Sequence, residues 1–70
     1  MATDMATWLR EVYQSATEIA AGRATLGALV QVRQWLTRYY PDDQATGIAK
    51  LGIPAAVYAA ERERVTGVAL

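Results

Sequence analysis

The chain has seventy residues, a formal charge of zero and neither cysteine nor histidine. One domain, 1–70, is all that this length supports, and disulfide staples, thiolate metal sites and imidazole chemistry are removed together. An apolar fraction of 53% is more than a disordered chain carries, and seven basic residues against seven acidic ones speak against a dedicated nucleic-acid binder.

Residues 4–21, "DMATWLREVYQSATEIAA", carry the clearest helical period. Met5, Trp8, Leu9, Val12, Tyr13, Ala16, Ile19 and Ala20 recur at three- and four-residue steps and span an arc of about 140°. Arg10, Glu11, Gln14 and Glu18 fall on the other side. Thr3 or Asp4 is placed to cap the start, and Gly22 supplies the left-handed residue that ends helices.

A second helix is predicted over 26–40, capped by Thr25 and stopped by Pro41. Its apolar residues, from Leu26 and Ala28 to Tyr39 and Tyr40, cover about 220°. One facing helix cannot cover so broad an arc. Either this helix is central or part of it is a docking surface.

"PDDQ" (41–44) reads as a turn and a helix start, with Asp42 as cap and Asp43 in the first turn near the positive end of the helix dipole. A short helix over 43–51 then places Ile48 and Leu51 inward, weakened by Gly47. Gly52 closes it, and Pro54 opens a last helix over 54–66 that Gly67 terminates. The expected fold is therefore all-α, a small bundle of three to four helices at about 4–21, 26–40, 43–51 and 54–66.

Targeting signals are not evident. Asp4 and Glu11 interrupt the stretch where a secretory leader would be uncharged. The longest strongly apolar uncharged run, "ATLGALVQV" (24–32), is well short of the ~20 residues that span a bilayer. The cytoplasm is the default location. A membrane-active helical peptide is a poorer reading, because such peptides carry basic polar faces.

Enzymatic chemistry has little to draw on. General acid–base work at neutral pH lacks histidine, and nucleophilic catalysis lacks cysteine. Ser15 is the single serine and Lys50 the single lysine, neither with a partner that would activate it. The Asp42–Asp43 pair has no further oxygen ligand at calcium-loop spacing, and the five glycines are too dispersed for a phosphate loop. No catalytic residue, cofactor or metal site is expected.

Three stretches invite a binding role. "RQWLTRYY" (33–40) concentrates residue types enriched at interface hot spots, and Val30 lies with Tyr40 toward one edge of the broad apolar arc, so Val30, Arg33, Trp35, Arg38, Tyr39 and Tyr40 form the candidate interface. Arg33 lies within the apolar arc of the second helix and Glu61 within that of the last, which suggests an Arg33–Glu61 pair inside the chain or between subunits. "ERER" (61–64) otherwise reads as local i, i+3 pairs on a solvated face.

The corner "GIAKLGIPAAVYAAERERV" (47–65) has a faint helix-turn-helix character. With Gly52 in the turn, Ile48 stands where a small residue is needed and Tyr58 where an aliphatic one is. The expected function is a non-enzymatic helical protein–protein interaction module, self-associating or docked on another protein. The alternative is a DNA-binding regulator using a degenerate helix-turn-helix at 44–65, with Arg62 and Arg64 as its DNA contacts.

Overall fold

The computed structural model describes residues 4–67 and is all-helical there, with four helices: α1 (Met5–Ala20), α2 (Leu26–Tyr39), α3 (Gln44–Lys50) and α4 (Ala55–Thr66). Asp4 caps α1 by accepting from the Thr7 N–H at 3.0 Å. Thr25 caps α2 through the Ala28 N–H at 3.1 Å. The cap of α3 is Asp43 rather than Asp42. Its carboxylate takes both the backbone N–H and the hydroxyl of Thr46, the latter at 2.6 Å, so α3 starts one residue later than the acidic pair suggested.

Two of the corners have the same construction. At the end of α1 the Arg23 N–H bonds the Glu18 carbonyl and the Gly22 N–H that of Ile19, at 2.9 and 3.0 Å. At the end of α3 Ile53 bonds Ile48 and Gly52 bonds Ala49, at 3.2 and 3.0 Å. This paired bonding requires a left-handed residue between the two donors, and Gly22 and Gly52 supply it at φ 77° and 79°. In the second corner the flanking apolar residues, Ile48 and Ile53, are both buried.

The core lies where α1, α2 and α4 meet. Val12 and Ile19 of α1, Val32 and Leu36 of α2, and Ile53 ahead of α4 are almost completely removed from water. Helices α1 and α2 form the largest contact. Helix α2 touches all three others, as does α4. Much of the broad apolar arc of α2 is thus ordinary core: Ala28, Leu29, Val32, Trp35 and Leu36 are buried. Leu26, Val30 and Tyr39 are not, at 59%, 46% and 43% exposure.

Gly47 has a role beyond weakening α3. A Cβ at this position would stand 2.5 Å from Leu36 Cδ2 and 2.9 Å from Tyr40 Cδ1. The glycine lets α3 press directly onto the C-terminal end of α2.

Candidate functional site

The expected interface residues divide into two groups on opposite edges of α2. Trp35 is core, 8% exposed, with its ring 5.8 Å from that of Tyr39 and 5.2 Å from that of Tyr40. Tyr40 leaves the helix (φ −134°, ψ 52°), so its ring comes to Trp35 instead of following the helical wheel toward Val30. Trp35, Tyr39 and Tyr40 line a groove with Met5 and Leu9, and the Tyr39 hydroxyl lies 3.6 Å from Met5 Sδ. This aromatic end is shared between neighbours: Tyr39 reaches Trp8 of α1, ring centres 6.2 Å apart, and Tyr40 lies against Gly47 of α3.

Val30, Arg33 and Arg38 are brought together on the outward face. They line an open groove with Met5 and Trp8 of α1, and Gln34 and Thr37 form its polar floor along α2. The positions 30, 33, 34, 37 and 38 follow the i, i+3, i+4, i+7, i+8 rule, which puts them on one stripe. A second, smaller groove continues past Val30 and Arg33 to α4, where Leu26, Tyr58 and Arg62 border it. Arg33 and Val30 belong to both. No acidic residue lines either groove.

The arginines here are not neutralised by ion pairs. Among the described residues the salt bridges are Arg23–Glu18 and Arg64–Glu61, and neither touches the grooves. Arg38 lies over the Tyr39 ring at 5.6 Å, and Arg62 lies 6.0 Å from the centre of the Tyr58 ring. Burial raises the Tyr58 phenol above its ordinary pKa, while the positive charges of Arg62 and Arg33 oppose that rise. Arg33 therefore sits near Tyr58 and Arg62, in a basic setting, on a face that also exposes Leu26, Val30 and Met5.

The Arg33–Glu61 pair is corrected within the chain. Glu61 is buried, but its partner is Arg64, bound side-on with Nη2 to Oε1 at 2.7 Å and Nε to Oε2 at 2.9 Å. Oε1 also accepts the Ala24 backbone N–H at 2.9 Å, and Arg64 Nη2 donates to the Ala24 carbonyl at the same distance. Together they grip both polar groups of one residue in the α1–α2 connector. Arg64 one turn along the same helix is the nearer cation, and the connector supplies an N–H that no helix satisfies. The i, i+3 pair was readable in "ERER"; its burial was not, because nothing in the sequence marks Ala24 as its third member.

This clasp also bears on the DNA alternative. Arg64 is committed to Glu61 and Ala24, and Arg62 is half-buried beside Tyr58. Besides Arg64, what α4 leaves exposed is Ala55, Ala56, Ala59, Ala60, Glu63 and Thr66, a surface poor in cations for phosphates. The small residue of α3, Gly47, makes its close approach to α2.

Met5, Trp8, Leu26, Gln34 and Thr37 belong to the grooves and were not singled out from the sequence as a surface. Gln34 and Thr37 could have been found as the i+4 and i+7 neighbours of Val30. Met5 and Trp8 read as the inward stripe of α1, yet Met5 is exposed and Trp8 half-buried, and both line the first groove. The described residues hold no group of three or more acidic side chains that could ligate a metal, and no helix among them is long and apolar enough to cross a membrane. No family model matches the chain, and no curated protein or solved structure is significantly similar to it.

Proposed function

We propose that the protein is a non-enzymatic helical interaction module, working in the cytoplasm, that docks on another protein through the outward face of α2. The observation that carries this reading is the exposure of Val30 and Leu26 beside Arg33 in grooves flanked by α1 and α4. Apolar side chains ringed by arginine and an aromatic residue are the composition of interface hot spots. Self-association is the weaker form of the same reading. A two-fold pairing centred on Val30 and Arg33 would set arginine against arginine, because no acid lines that face. A catalytic role lacks the acid–base and nucleophilic groups it would need, and DNA binding through α4 would have Arg62 alone, since Arg64 is held by Glu61 and Ala24.

A photo-crosslinking residue placed at Val30, with one at Ala60 on the exposed side of α4 as control, tests the reading in the cells that make the protein. A discrete protein adduct at Val30, absent at Ala60 and lost with Arg33→Glu, is the expected outcome. Equal, diffuse labelling at both positions would refute it.

A further inference from the structure

We infer that the groove over α2 receives an acidic amphipathic helix from a different protein, with apolar side chains seated on Val30 and Leu26 and carboxylates directed at Arg33, Arg38 and Arg62. This rests on the interaction reading above and adds the chemistry of the partner.

Shape is the first support. The stripe from Leu26 to Arg38 runs twelve residues along α2, about 18 Å at the helical rise. Met5 and Trp8 of α1 border it toward Arg38, and Tyr58 and Arg62 of α4 border it toward Leu26, so the stripe runs through two adjoining open grooves. A stripe of that length matches about three turns of a guest helix, whose i, i+3, i+4 and i+7 positions present one apolar row. A bilayer would be met better by a convex face, and duplex DNA has no use for the exposed Leu26, Val30 and Met5, which are 59%, 46% and 47% exposed.

Charge decides the sign of the guest. Arg33 lies at the centre, Arg38 toward α1 and Arg62 toward α4, and no carboxylate lines the grooves to answer them. Two of the three lie near tyrosine rings, Arg38 at 5.6 Å and Arg62 at 6.0 Å, and among the described residues none of the three is in an ion pair, so their charge is left for an incoming carboxylate. The protein's own exposed acids on α1 lie along the seam with Gln31: Glu11 bonds Gln31 at 3.3 Å, and Glu18 is paired with Arg23. Gln34 and Thr37 on the floor offer neutral polar contacts to the edge of the guest.

The test is a selection in which neither charge is favoured beforehand. A phage library of 18-residue helical peptides carries Leu, Ile or Phe along one stripe and Glu, Lys or Gln at the flanking positions. It is panned on the full chain, on Arg33→Glu/Arg38→Glu and on Val30→Asp, each first shown by circular dichroism to keep its helix content. The expected result is enrichment of Glu on both flanks for the parent chain. Preference should switch to Lys for the double variant, and Val30→Asp should lose binding at least tenfold. Peptides enriched without charge preference yet lost with Val30→Asp would overturn the acidic partner and leave the interaction reading standing. Failure to enrich any peptide over Val30→Asp would remove both. Two direct assays complete the set, with a duplex oligonucleotide and with vesicles containing phosphatidylserine. Binding of either that disappears in the Arg33→Glu/Arg38→Glu chain would reassign the grooves to nucleic acid or to membrane.

Discussion

Glu61 is a buried carboxylate that ties α4 to the connector between α1 and α2. Its carboxylate is held down to a pKa of about 2, against an ordinary 4.5, chiefly by the hydrogen bonds from Arg64 and then by the Ala24 N–H. A depressed carboxylate stabilises the fold above its unfolded pKa and loses that contribution as pH falls toward the folded value. Stability to urea should therefore decline between about pH 4.5 and pH 2, with a smaller part from Asp4, whose carboxyl is lowered by the Thr7 backbone N–H. Glu61→Gln should flatten that profile and lower the midpoint at pH 7, whereas Glu63→Gln, at an exposed position, should do neither; urea titrations across that pH range decide it. Arg64 is half-exposed, so Arg64→Ala should cost less than Glu61→Ala, which strands the buried Ala24 N–H as well.

At the scale of the elements, the helices were legible wherever caps and period agreed. Thr25, Pro41, Gly22 and Gly67 delimit α1, α2 and α4 in the chain as they do in the fold. The acidic pair was ambiguous because either aspartate can cap, and the choice fell to Asp43, whose carboxylate reaches both donors of Thr46. Gly47 was legible only as a helix weakener, since close approach is a tertiary property. Its substitution sets two effects against each other. Ala in a helix gains about 1 kcal/mol over Gly, while an extra methyl in a filled site costs about 1–3 kcal/mol. The methyl would meet Leu36, which is fully buried and has little room to yield. Gly47→Ala should thus be a net loss of up to about 2 kcal/mol, read from denaturant midpoints. Gly27→Ala meets only Thr25 Oγ1 at 3.9 Å and should stabilise by a few tenths to about 1 kcal/mol.

For the molecule as a whole, the candidate site was half legible. Val30, Arg33 and Arg38 were named from their types and spacing and line the outer grooves, but Trp35, with the same hot-spot chemistry, is core, Tyr39 reaches Trp8 and Met5 of α1, and Tyr40 lies against Gly47 of α3. Composition cannot separate an aromatic that binds from one that packs; only the positions of α1 and α3 do so. The charge on the outer face of α2 also escaped a count that sums to zero, because the compensating acids lie elsewhere on the surface. The clasp at Ala24 has a further consequence for motion. Its amide lies outside any helix, and its acceptor belongs to α4, thirty-seven residues away in sequence. Hydrogen exchange at that single amide consequently times the departure of α4 from the α1–α2 pair. If α4 swings away while the pair persists, Ala24 exchanges faster than Val32 or Leu36; if the bundle opens only as one body, the three share a rate.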